Sequence, residues 1–256
     1  MDEEGGAEPP IGEAVGSSVR RTYDQIASHF ASTREYPWPE VTAFLGGEPV
    51  GDLDPDAEAA LAGGAGVKAN DEQRGASTSE RLGLDLGCGN GRHAESLSGV
   101  VESVVGVDVS GALLRTARER AQSRGFDDRL GLVQADAAAL PLRSDAVDVA
   151  VYVATLHHLR TRERRVASLS ELARVLRPRG RALVSAWSTA HDRFDATDGF
   201  DTTVPWTLPG GERVQRFYHI YDPAEFESDL AASDLDVVTS VISSGNCYAV
   251  VGPGAE

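Results

Sequence analysis

Residues 82–91 read Leu-Gly-Leu-Asp-Leu-Gly-Cys-Gly-Asn-Gly, a short apolar run that ends in three closely spaced glycines, with a helical pattern over 91–98. A buried strand running through a glycine turn into a helix is how a parallel, helix-covered sheet begins, and it excludes most all-α and all-β arrangements. The alternation continues. A β-branched run at 103–109 precedes a helix at 111–123, apolar runs follow at 130–134 and 147–153, and a helix at 161–176 ends before Pro178 and Gly180. A fifth strand is predicted at 181–187 and a helix at 223–231. The runs 235–242 and 248–251, around Ser-Ser-Gly-Asn, predict a closing hairpin. The pattern predicts an α/β fold: a doubly wound, mostly parallel seven-stranded sheet with a terminal antiparallel hairpin. Upstream, Val19, Tyr23, Ile26, Ala27 and Phe30 predict an amphipathic helix over 17–35, capped by Ser17 or Ser18 and stopped by Pro37 and Pro39. A short second helix is expected at 41–45.

With 256 residues, the chain can bury a substantial core. It is read as an acidic disordered tail at 1–16, then a single domain over 17–256 with an acidic loop insertion at about 46–80. No run approaches eighteen apolar residues, which excludes a membrane-spanning helix, and the N-terminus MDEEGGAEPP is neither a signal nor a transit peptide. Cys88 and Cys247 are too far apart in sequence for a CxxC pair, so no metal site is expected and a reducing cytoplasm is the expected location. Lys plus Arg total 24 against 40 Asp plus Glu, for a net charge of -16, and Lys68 is the only lysine. Strong acidity almost without lysine is the composition of a protein soluble in concentrated salt, so a halophilic source is expected. Against that field, residues 156–182 carry eight arginines, from Arg160 to Arg181, and predict a local basic patch.

The chemistry concentrates at strand ends. Gly87, Gly89 and Gly91 form a DxGxGxG turn, not the GxGxxG of dinucleotide sites. Glycines let a ligand approach the backbone closely. Asp85, just before them, could accept from an ammonium group. Asp108 ends the second strand, with Val109 behind it, where a carboxylate can grip both ribose hydroxyls. Asp136 ends the third, where it can meet an adenine amino group, with the Ala137 N–H as a donor to the ring. An amino group, a ribose and an adenine together describe S-adenosylmethionine, not a pyrophosphate cofactor. Cys88 reads as a small buried spacer.

Residues 81–187 resemble class I S-adenosylmethionine-dependent methyltransferases, whose sheet is Rossmann-like. The segments YDQIASHFASTREYPWP (23–39), LDLGCGNGRH (84–93), LHHLRTRERRVASL (156–169), DTTVPWTLP (201–209) and RFYHIYDPAEF (216–226) resemble, more narrowly, the tRNA wobble-uridine carboxyl methyltransferases, here as an archaeal member. The resemblance implies methyl transfer to the carboxylate of 5-carboxymethyluridine in the tRNA anticodon loop, giving the ester. It also implies a heterodimer with a small zinc-binding methyltransferase activator protein, docked by β-augmentation on the sheet edge at 130–135. The chain departs from the family in its acidity and at 46–80.

A carboxylate acceptor is already ionised near neutral pH and needs alignment and an anchor more than a base. Arg suits that anchor, because its planar fork bonds a carboxylate at two points. The candidates are Arg34 and Arg216. His157, past the fourth strand, could orient the acceptor, and Trp187 could stack on a base or wall the pocket. The resemblance adds Asp24 and His29 in a segment expected to close over the cofactor. The arginines at 160–165 would receive the anticodon loop. Two other readings compete: a methyltransferase acting on a small carboxylic acid or quinone precursor, and a catalytically silent S-adenosylmethionine-binding partner protein.

Overall fold

The computed structural model describes residues 11–51 and 80–254. The central sheet has seven strands: β1 (Leu82–Leu86), β2 (Ser103–Asp108), β3 (Leu130–Gln134), β4 (Val147–Tyr152), β5 (Leu176–Trp187), β8 (Leu235–Ser243) and β9 (Asn246–Pro253). Their order is β3-β2-β1-β4-β5-β9-β8. The first five strands are parallel, while β9 pairs antiparallel with both β5 and β8. Strand order reverses at β1, between β2 and β4, so the crevice for a ligand opens at the carboxyl ends of these strands.

Successive residues on the central strands face opposite layers, as the two-residue period of a strand requires. Leu84, Leu86, Tyr152, Val184 and Ala249 join one core cluster with Leu169, Leu172 and Phe226 of the covering helices. Val149, Val151, Leu183 and Tyr248 join the opposite cluster with Val41, Leu97 and Ala121. The helices involved are α2 (Pro39–Gly46), α3 (Arg92–Ser98), α4 (Gly111–Arg124), α5 (Arg162–Val175) and α6 (Pro223–Ala231). Side-chain caps start three of them, α4, α5 and α6. Ser110 Oγ accepts from Leu113 N, Thr161 accepts from Arg164 N, and Asp222 accepts from Glu225 N with Pro223 following it.

Several expectations are corrected. The first helix, α1, spans Ile11–Ser32, so Ser17 and Ser18 lie inside it and the tail expected to reach residue 16 is helical from residue 11. The rest of that tail, residues 1–10, lies outside the described residues, as does 52–79 of the expected loop insertion. Strand β5 starts at Leu176, not 181: the register against β4 shifts between Val147 and Val149, which accommodates Pro178 and Gly180 in the strand. Asp136 lies two residues beyond the end of β3. The largest omission is a two-stranded antiparallel sheet, β6 (Phe200–Thr207) with β7 (Arg213–Ile220). It packs with α1 and α4 through Trp206, Val214, Tyr23, Ile26, Ala27 and Leu113. The hairpin and α1 cover the carboxyl ends of the parallel strands.

Candidate functional site

The glycine turn is stitched to the neighbouring strand, because Gly87 N and Cys88 N both donate to Val107 O, at 2.7 and 3.0 Å. Gly87 has φ +75°, and a Cβ there would overlap the Thr155 side chain in the loop after β4. The third glycine has a different reason. Gly91 caps α3 at φ +76°, and a Cβ there would crowd Ala117 of α4 at 3.2 Å. Two adjoining cavities open around this turn, sharing Val19, Gly87, Asp108, Val109 and His158.

The first cavity is lined by Asp108, Val109, Asp136 and Ala137, together with Leu86 and Arg164. Asp108 accepts from Gly89 N at 2.9 Å and from Ser110 N at 2.8 Å. Burial raises its pKa to about 6, against the lowering effect of those N–H groups. Asp136 accepts from Ala138 N at 2.9 Å and pairs with Arg164. Asp85 lines neither cavity. It is 1% exposed and its Oδ2 has no partner; burial lifts its pKa to about 7, opposed by a bond from the Ala94 N–H and by the charge of Arg92. A buried acid with an idle oxygen beneath a glycine turn, beside a second acid at the mouth, suits a ligand carrying positive charge and ribose hydroxyls.

The second cavity brings together four of the predicted acceptor-side residues, Arg34, His157, Trp187 and Arg216. His157 is 1% exposed, and its Nδ1 accepts from Trp187 N at 3.2 Å. The ring proton is therefore on Nε2. Burial, with smaller contributions from the neighbouring His158 ring and the Arg216 guanidinium, holds the pKa well below the usual value, so His157 is a neutral donor. It stacks on Tyr218, 4.7 Å between centroids at 18°. His158 is tied down at both nitrogens, donating from Nδ1 to Phe217 O at 2.8 Å and accepting at Nε2 from the Tyr23 hydroxyl at 2.7 Å. Burial lowers its pKa to about 4. Trp187 lies 4.8 Å from Tyr218 and carries the Arg193 guanidinium 5.7 Å from its centroid.

Among the described residues, Arg216 is buried on β7 with its Nε unpartnered, and the Arg34 guanidinium donates to the Thr33 carbonyl at 3.2 Å. Neither is paired with a carboxylate among the described residues; Glu212, the nearest acid in sequence to Arg216, is taken by Gln25 at 2.8 Å. A third cavity arginine was not foreseen. Arg92, at the start of α3, sits 5.8 Å over Trp38, and burial lowers its pKa to about 10. Its signal was present as the first residue after the glycine turn. Tyr23 and Tyr218 also line this cavity.

Asp24 and His29 do not. Asp24 accepts from Ser110 Oγ at 2.7 Å and from Ala112 N at 3.0 Å, which latches α1 onto the start of α4. His29 Nδ1 accepts from Trp206 Nε1 at 3.0 Å. The expected basic patch is also corrected, because five of its eight arginines are ion-paired: Arg162 and Arg165 with Asp229, Arg165 also with Glu225, Arg164 with Asp136, Arg174 with Glu171, and Arg177 with Asp148. Arg160 instead lies 4.6 Å over Phe217. The arginines without carboxylate partners that matter here face the cavity. Both cysteines are buried and free, and no helix among the described residues is long and apolar enough to cross a membrane.

Residues 84–184 match the family model described as a methyltransferase domain. The fold is that of a methyltransferase. Over 172 residues the chain is 34% identical to tRNA (carboxymethyluridine(34)-5-O)-methyltransferase ALKBH8 of Mus musculus, covering 66% of this chain and 20% of that protein. Over 195 residues it is 31% identical to tRNA (carboxymethyluridine(34)-5-O)-methyltransferase of Saccharomyces cerevisiae, covering 75% of this chain and 57% of that one. The chain thus spans from a fifth to a little over half the length of these curated relatives. Among solved structures, the complex between the Haloferax volcanii Trm112 methyltransferase activator and a methyltransferase matches with a TM-score of 0.58 and 16% identity, over 93% of this chain and 99% of that one. The methyltransferase fold therefore extends beyond 84–184 to most of the described residues.

Proposed function

We propose that this protein transfers a methyl group from S-adenosylmethionine to the carboxylate of 5-carboxymethyluridine at the tRNA wobble position. The observation that carries this reading is the pair Arg34 and Arg216, two arginines without carboxylate partners among the described residues, lining one cavity with the neutral donor His157. The names of the mouse and yeast relatives support the same acceptor.

The glycine turn, the idle Asp85 oxygen and Asp108 fit the cofactor, which supplies an electrophilic sulfonium methyl. Asp108 would hold the ribose, Asp136 and Ala137 the adenine edge, and the ionised Asp85 would favour the ammonium end. Arg34 and Arg216 would hold the acceptor carboxylate and align one oxygen. His157 donates from Nε2 and, being neutral, adds no charge to quench that oxygen. Trp187 and Tyr218 wall the site against water, which strengthens these charge interactions. No general base is needed, since the acceptor arrives ionised.

The fold leaves β3 at one edge of the sheet, open to strand addition by an activator of the kind named in the Haloferax complex. The net charge of -16 fits a protein working in high salt, where phosphate contacts are weakened by screening and the flipped base must supply more of the affinity. The test is mass spectrometry after incubating the protein, labelled S-adenosylmethionine and the activator with carboxymethyl-bearing tRNA and, in parallel, with a set of small carboxylic acids. Label in the methyl ester is the expected result. Label that appears only in small carboxylic acids supports the small-molecule reading, and none in either acceptor supports the silent partner.

A further inference from the structure

Arg34 lies two residues past the end of α1 and Arg216 lies in β7, yet both guanidiniums lie over one ring. Arg34 Cζ is 5.3 Å and Arg216 Cζ 4.8 Å from the Trp206 centroid. Trp206 is itself fixed. It is 8% exposed, its Nε1–H donates to His29 Nδ1 at 3.0 Å, and Phe30 packs against it at 5.6 Å. Both arginines line the second cavity and Trp206 does not, so the indole lies behind the charges and is not a surface on which an acceptor base could stack. Two guanidiniums gathered on one ring repel each other. The π-face offsets part of that repulsion, and an anion held by both would offset more of it.

We propose that Trp206 is a positioning residue that brings Arg34 and Arg216 to a single carboxylate-binding point, and that His29 holds Trp206 in register. His29 thus acts two steps away from the acceptor, through the indole. This rests on the proposed carboxylate acceptor and names what sets its place.

The test compares wild type, Trp206→Phe, Trp206→Leu and His29→Ala by calorimetry, with S-adenosylhomocysteine present. The probes are 5-carboxymethyluridine and its methyl ester, which differ by the one charge at issue. Wild type should prefer the acid, and Trp206→Phe, which keeps a π-face, should stay within about threefold of it. Trp206→Leu should lose about tenfold or more of acid affinity, the order of a desolvated cation–π pair, with ester affinity nearly unchanged. His29→Ala, which loses the same bond as Trp206→Phe and in addition leaves the buried indole N–H unpaired, should fall between them. Unchanged S-adenosylhomocysteine affinity shows that each variant is folded; if Trp206→Leu fails that control, His29→Ala and Trp206→Phe carry the comparison. Equal acid preference in Trp206→Leu and wild type, or in His29→Ala where Leu does not fold, overturns the platform. No acid preference in wild type overturns the shared anion point. A wild type that prefers the acid but leaves carboxymethyl-bearing tRNA unmethylated fails the methyltransferase reading alone and leaves the platform standing.

Discussion

Replacing Asp85 by Asn should stabilise the cofactor-free protein, and by more as the pH rises. Asp85 is 1% exposed with one idle oxygen, and burial lifts its pKa from 3.8 to about 7. Between those two values the native state keeps a proton that the unfolded chain has already released. The stability linked to that proton is fully present below about pH 4 and is lost as the pH rises through about 7. A shift of that size corresponds to about 4 kcal/mol at pH 8, at 1.36 kcal/mol per unit. Asn keeps the shape and the oxygen that accepts from Ala94 N–H, but has no charge to bury. The variant should match wild type near pH 4 and exceed it at pH 8 by roughly 8 °C or more in Tm, given about 2–4 °C per kcal/mol for a chain of this size.

The assay is thermal unfolding of both proteins from pH 4 to 8, read as the difference between them. His93 and His157, held neutral by burial, work in the opposite direction, since protonation costs stability as the pH falls below the ordinary histidine range. They are common to both proteins and cancel in the difference. A difference that stays flat across the range refutes the buried-charge account. The same variant should bind S-adenosylmethionine more weakly at pH 8, because the charge that strains the empty protein is the one proposed to favour a cationic ligand.

Asp108→Ala should weaken S-adenosylmethionine binding about ten- to hundredfold with the fold retained, the range for charge-assisted hydrogen bonds, as measured by calorimetry. Arg216→Lys should lower methylation of carboxymethyl-bearing tRNA by roughly thirty- to thousandfold with cofactor affinity unchanged, because lysine keeps the charge but not the two-point fork; activity within about threefold of wild type would leave Arg34 as the main anchor. Asp229→Ala should destabilise the protein by about 1–3 kcal/mol in denaturant unfolding, because it removes the buried acceptor shared by Arg162, Arg165 and Tyr221 and leaves Arg165 to Glu225 alone.

The parallel strands were legible because each is an apolar run bounded by a turn or cap; β1 and β3 match their expected limits at both ends. The hairpin β6–β7 was not, although Val204 and Trp206 alternate with exposed residues, as do Val214 and Arg216. A period-two pattern with an arginine on its buried face and a proline in its other strand reads locally as a polar loop. Only α1 and the neighbouring indole make that arginine an inward residue. The arginines at 162–165 show the converse. In sequence they are a run of charge, but the acids that neutralise Arg162 and Arg165 arrive sixty or more positions later, on α6. Charge is a local property of a sequence, whereas the pairing that decides whether it is free to bind is set by topology. Arg34 and Arg216 could be chosen as residue types that suit a carboxylate. That they remain without carboxylate partners among the described residues while their neighbours are paired required the fold, and it is this difference that turns two of many arginines into a candidate anion site.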